Sequence, residues 1–324
     1  MIENIIACAK RYDADIVGFA SRDRFSADDP IFKIFPDTKT VIGLGFRVLR
    51  GIYRGVEEGT TYYQYTTMGV ENLEETVMPM ALLNVSNLIE EEGYTAVPQR
   101  KSPLIQNAVE GTNPEVDFTD VYRGVTAENQ LDFLNCAVQC GLGEKSMIGS
   151  LLTDEYGPFI RYCFILTDAE LPATGLAAPH LCDNCGECIK ACPGHAIGED
   201  GELDSWRCAV YYNGANGSKN PFMPPDAFSE RDDRLDIING TAQFDSEEAQ
   251  EILRQIYFYP PAKHSYRTSI CGRACDRACY IHLEEKGLLT KSFHRKFREK
   301  EDWKLSTKQF ETGVREKEWN FGGK

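Results

Sequence analysis

Four cysteines packed into eleven residues, Cys182-Asp-Asn-Cys185-Gly-Glu-Cys188-Ile-Lys-Ala-Cys192, with Pro193 directly behind them, are the part of this chain best suited to chemistry. Thiolates are soft ligands, and at this density they suit zinc or the irons of an iron–sulfur cluster. Structural zinc draws four ligands, typically as two separated pairs. A single run at C-x2-C-x2-C-x3-C-P fits instead a loop wrapped around one cubane, its longer last step and the proline turning Cys192 toward a different centre. The chemistry on offer is electron transfer. The chain has twelve cysteines, and a reducing compartment rarely keeps them as disulfides, so metal ligation accounts for them better.

The run has the spacing of bacterial two-cluster ferredoxins, which need eight thiolates. Cys271, Cys275 and Cys279 recur at x3 spacing in ICGRACDRACYIHLEEKG, and Cys208 stands in LDSWRCAVYY. By ferredoxin logic Cys182, Cys185 and Cys188 join Cys279 at one [4Fe–4S] cluster, and Cys192 joins Cys208, Cys271 and Cys275 at the other. The second motif departs from the usual pattern: its first gap is one residue longer, and Tyr280 stands where a proline is usual. Cys8, Cys136, Cys140 and Cys163 are left over and read as small core residues.

The elements that must position these residues read as mixed α/β over 1–170. The apolar spacing predicts a helix over 2–13, strands at DIVGFA and TVIGLGFRVL, and a long amphipathic helix over 72–92. A short strand at TAVPQ, a helix over 127–140 and a strand at FIRYCFIL follow. A proline-rich linker, LPATGLAAPH (171–180), leads to the cysteine part, which a loop-rich insert over 213–245 interrupts. The expected class is α+β: a cofactor and substrate domain over 1–170, a two-cluster domain over 171–290, and a charged tail over 291–324 that reads as a solvated helix face. No G-x-G-x-x-G or P-loop pattern signals a nucleotide.

The formal charge of −15 argues against a large nucleic-acid surface. No stretch approaches the ~18 apolar residues of a membrane span. The first residues read as a helix running into a strand, without an export signal, which points to the cytoplasm.

The stretch Gly141-Leu142-Gly143-Glu144 … Gly149-Ser-Leu-Leu-Thr153-Asp-Glu155-Tyr156-Gly157-Pro158 … Arg161 … Leu166-Thr167-Asp168, lying just ahead of the cysteine run, resembles the cobalamin-binding core shared by reductive dehalogenases and epoxyqueuosine reductases. The resemblance implies a nitroreductase-like core, a bacterial-ferredoxin-like two-cluster domain, and base-off cobalamin reduced by the nearer cluster. Glycines let backbone approach a flat macrocycle closely, so Gly141, Leu142, Gly143, Glu144, Ser146, Gly149, Tyr156 and Gly157 become the implied cofactor contacts. Partners follow in kind: a low-potential donor of ferredoxin or flavodoxin type and a small-molecule substrate, with nucleic acid and membrane not expected.

A proton donor is harder to place. Where epoxyqueuosine reductases carry an acidic residue, this chain offers Arg100, Lys101 and Ser102. Dehalogenases use a tyrosine beside a basic residue, and the loop Thr60-Thr-Tyr62-Tyr63-Gln-Tyr65 puts forward Tyr63 as the catalytic group. Two alternatives stay open: epoxyqueuosine reduction on tRNA, and an electron-transfer or corrinoid-reducing accessory protein with no substrate of its own.

Overall fold

The structure is a computed structural model that describes residues 1–100, 131–259 and 268–313. Its chain divides into two compact units, each assembled from separated segments. The first holds Met1–Val48, Glu71–Cys185 and Glu285–Ser292; the second holds Leu49–Val70, Gly186–Glu284 and Phe293–Lys324.

The first unit is mixed α/β. Its strands are β1 (Ile16–Ser21), β2 (Thr40–Arg47), β3 (Ala96–Gln99), the short pair β4 (Glu144–Lys145) and β5 (Leu151–Leu152), and β6 (Ile160–Thr167). The main sheet runs β1-β2-β6-β3 with every pairing antiparallel. Three helices flank it: α1 (Ile2–Arg11), α2 (Met78–Glu91) and α3 (Phe133–Gln139). Alternation along β2 sends Ile42, Leu44 and Phe46 to a core shared with α1 and α2, and Val41 to one shared with α3. With both faces covered, β2 is buried over seven of its eight residues.

Two glycines explain how α3 presses so close. A Cβ on Gly18 would lie 2.0 Å from the carbonyl oxygen of Cys140, and one on Gly43 would lie 3.0 Å from the Cβ of Cys140. Cys163 lies fully buried in β6, Cys136 and Cys140 are buried, and half-buried Cys8 packs on the α1 side. All four are core residues, as their spacing implied.

The helix expected over 72–92 is regular only as α2, with a π-helical turn at Leu73–Val77 ahead of it. Pro79, in the first turn of α2, has no N–H to give an i→i−4 bond, which permits the wider turn. Residues 127–130 of the next expected helix lie outside the described residues. The linker stays within the first unit, tied to β1: Thr174 donates its N–H to Phe19 O (2.8 Å), and its hydroxyl accepts from Phe19 N–H (3.0 Å). The break between units falls after Cys185 rather than at 170.

The second unit is helical over its described residues, with helices at Arg50–Glu57, α4 (Ser205–Tyr212), Ser246–Gln255 and α5 (Ala274–Glu285) among them. Asp204 caps α4 through the N–H groups of Trp206 and Arg207, and Asp245 with Glu248 forms a capping box on Ser246–Gln255. The charged segment after residue 292 corrects the expectation of a solvated helix face. It is irregular until Lys308 and held down by apolar anchors. Phe297 and Phe310 are fully buried, Phe297 meets Tyr280 edge-on at 5.3 Å, and the Trp303 indole donates to Val56 O at 3.2 Å. A run of charges hid these six- and seven-residue spacings. Among the described residues no helix is long and apolar enough to cross a membrane.

Candidate iron–sulfur site and glycine loop

In the first unit the approach to the cysteine run is fixed by one carboxylate. Glu144, on β4, is 4% exposed and accepts three backbone N–H bonds, from His180 (2.6 Å), Leu181 (3.0 Å) and Cys182 (2.8 Å). The N–H of Met147 in the β4–β5 turn donates to the Cys182 sulfur at 3.4 Å. N–H bonds to sulfur are what a cluster-bound thiolate accepts. Cys182 is half-buried and Cys185 exposed.

The glycine loop is engaged with the protein itself. Gly141, at φ +71°, would put a Cβ 2.3 Å from Gly175 O, and Gly143 would put one 2.1 Å from Leu152 O. Leu142 belongs to the core, and Ser146 closes the β4–β5 turn by accepting from Ser150 N–H at 2.9 Å. Gly157 exchanges backbone bonds with Thr153 at 2.8 and 3.0 Å. Close approach does require these glycines, and the surfaces Gly141 and Gly143 approach are the chain's own carbonyls. Gly141, Leu142, Gly143, Glu144, Ser146 and Gly157 all have partners within the chain. Exposed Gly149 and half-buried Tyr156 remain; the Tyr156 hydroxyl donates to Asp15 at 3.3 Å, with Arg47 and Lys291 over its ring. Gly141→Ala is expected to destabilise by about 2–4 kcal/mol, from the carbonyl clash and the positive φ, read as a lower urea midpoint.

In the second unit Cys188 is buried on the short helix Glu187–Lys190, and Cys279 is half-buried on α5. Cys192, Cys208, Cys271 and Cys275 come together from three separate segments. All four are half-buried, and for Cys208, Cys271 and Cys275 loss of water around the sulfur favours the neutral thiol. Cys208 is pushed up to about 12, by desolvation first and then by the like charges of Cys271 and Cys192, with Arg273 opposing. Cys275 is raised well above the ordinary thiol by burial and by Asp276, with Cys271 and Cys208 adding to it. Neighbouring thiolates repel one another, and iron bound to them would supply the compensating charge while displacing protons. Two already have backbone donors: Ala196 N–H to Cys192 Sγ at 3.2 Å and Ala274 N–H to Cys271 Sγ at 3.5 Å. The donor set fits an iron–sulfur cubane.

Sequence reasoning missed the group beside it. Glu57, 4% exposed, takes the Nη1 of Arg277 and the Nε of Arg298 (2.5 Å). Arg277 also donates to the carbonyls of Cys271 (3.0 Å) and Gly272 (3.1 Å). A cavity of about 200 Å³ opens here, bounded by Cys271, Arg277, Arg298, Lys219 and Trp303.

Tyr63 stands half-buried at the start of the helix Tyr63–Thr66, its carbonyl accepting from the Thr67 hydroxyl at 2.7 Å. Among the described residues it is Tyr62 whose hydroxyl is buried without a partner, its ring set edge-on to Phe222 and Trp303. Arg100 pairs with Glu75, while Lys101 and Ser102 lie outside the described residues.

No family profile matches the chain. An epoxyqueuosine reductase of Synechococcus sp. (strain RCC307) is 34% identical over 88 residues, covering 27% of this chain and 27% of that protein. The tetrachloroethene reductive dehalogenase of Sulfurospirillum multivorans is 33% identical over 66 residues, covering 19% of this chain and 13% of that protein. The chain thus matches about a quarter or less of the length of these relatives. Among solved structures, an epoxyqueuosine reductase with an epoxyqueuosine-modified tRNA stem loop has 13% identity and a TM-score of 0.43, over 89% of this chain and 82% of that one. Over the matched segment this chain is a relative of both the epoxyqueuosine reductases and the reductive dehalogenases.

Proposed function

We propose that the chain is a cytoplasmic oxidoreductase that moves electrons through two [4Fe–4S] clusters to cobalamin and a small-molecule substrate. The observation that carries the cluster part is the gathering of Cys192, Cys208, Cys271 and Cys275 from three distant segments, with backbone donors on Cys192 and Cys271. Cys182, Cys185, Cys188 and Cys279 are proposed for the second cluster from their spacing. Each cluster supplies one-electron transfer. The chain's share is to fix the ligand loops, through Glu144 at one and Arg277 at the other, and to surround the thiolates with N–H donors and little water. The functional division proposed is cofactor and substrate handling over 1–170 and cluster binding over 171–290.

Cobalamin is proposed on the resemblance, with Gly141, Leu142, Gly143, Glu144, Ser146, Gly149, Tyr156 and Gly157 as its candidate contacts and Tyr63 as a candidate proton donor. Bound base-off, it would supply a low-valent, nucleophilic cobalt. Two other readings keep a specific support. The match to epoxyqueuosine reductases makes a modified tRNA an alternative substrate, against the expectation drawn from net charge. The inward engagement of the glycine loop favours an accessory electron carrier.

Iron, sulfide and cobalt content of anaerobically purified protein, before and after hydroxocobalamin, separates these readings. About eight irons with retained cobalamin is the expected result. Eight irons without retention leaves the carrier, and iron near zero removes the cluster reading.

A further inference from the structure

The ion group around Glu57 joins three parts of the second unit. Glu57 ends the helix Arg50–Glu57, Arg277 lies on α5 between Cys275 and Cys279, and Arg298 comes from the charged C-terminal segment. Its position beside a ligand loop is close. The Arg277 guanidinium holds the Cys271 and Gly272 carbonyls at 3.0 and 3.1 Å, and Arg277 and Arg298 line the same cavity as Cys271. Gly272, at φ +51°, has no room for a side chain, since a Cβ would lie 2.6 Å from Val56. The loop is thus pressed against the helix that carries Glu57.

Two cations share one anion, so the triad presents a net positive charge next to Cys271. A buried ion triad is weak evidence of a gain in stability, because desolvation offsets much of the attraction. It is a strong source of fixed field where water is scarce. We propose that Glu57, Arg277 and Arg298 act as positioning residues that set the reduction potential of the cluster held by Cys192, Cys208, Cys271 and Cys275, a role that rests on the ligand reading above. Reduction adds one electron and no proton to that cluster. A fixed cation nearby stabilises the reduced form, and a fixed anion disfavours it.

The signs make the test. The full chain is purified anaerobically, its iron counted, and each cluster titrated with dithionite while electron paramagnetic resonance follows the reduced form. Arg277→Gln should make that cluster harder to reduce, by on the order of tenfold in the reduction equilibrium, which is 59 mV for one electron. Arg298→Gln, whose side chain is 34% exposed, should shift it the same way by less, and is the variant least at risk of misfolding. Glu57→Gln should shift it the opposite way. Arg277→Lys, which keeps the charge but loses the fork, should restore most of the potential.

Full iron with opposite shifts for the arginine and glutamate variants supports the proposal. Full iron with shifts in one direction, or none beyond threefold, overturns it and leaves the ligand reading standing. Wild-type protein that binds no iron overturns both.

Discussion

Cys208→Ala is expected to lower bound iron and sulfide from about eight to about four atoms each per chain. Spacing alone makes Cys208 the weakest of the eight assignments, since a lone cysteine in a helix is usually a small core residue. In the folded chain it sits on α4 where its charge is felt by Cys271, Cys192 and Cys275 together. Removing it leaves three thiolates for one cubane and an unfilled iron site. The control is Cys163→Ala, at a fully buried position in β6, which should keep all the iron and lose only packing energy. Iron and sulfide assays beside the reduced-cluster resonance signal read both variants. Equal iron in both would remove Cys208 from the ligand set.

Glu144→Ala is expected to cost about 3–5 kcal/mol of stability, because three backbone N–H groups lose a charged acceptor inside the protein. The loss should reach the cysteine run as well, since one of those donors belongs to Cys182 itself. Retained iron should fall toward half, with the group of Cys192, Cys208, Cys271 and Cys275 unaffected. Glu144→Gln keeps one carbonyl oxygen for the donors but turns an amide NH2 toward them, and should fall between. Denaturant midpoints with parallel iron assays settle the order. A Glu144→Ala protein as stable as the parent would mean the 177–182 loop is held by something else.

Much of the first unit could be read from spacing. The apolar runs of β2 and β6 are strands, α1 turns an apolar face to the core, and the four surplus cysteines pack in or against the core. Glu144 could not be read so. It lies within a glycine loop, and its partners sit 36 to 38 residues downstream, beyond the reach of any local pattern. The glycines beside it pointed to close approach, which is real, but a sequence does not say what approaches. Glu57 and Arg277 are harder still, 220 positions apart and each ordinary in its own helix. The segment after residue 292 misled for another reason: its charges outnumber Phe297, Trp303 and Phe310, and those few rings do the packing.

The wide separation within the Glu57 triad also sets an order of assembly. Glu57 is synthesised early, and its two partners follow 220 and 241 residues later. At ribosomal speeds of about 5–20 residues per second, the carboxylate waits roughly 10–50 seconds before either guanidinium exists. The second unit cannot close in that interval, because Gly186–Glu284 and the segment from Phe293 onward are made after Glu57. Cys271 and Cys275 belong to that later stretch, so the four-cysteine group is complete only after most of the unit has been made.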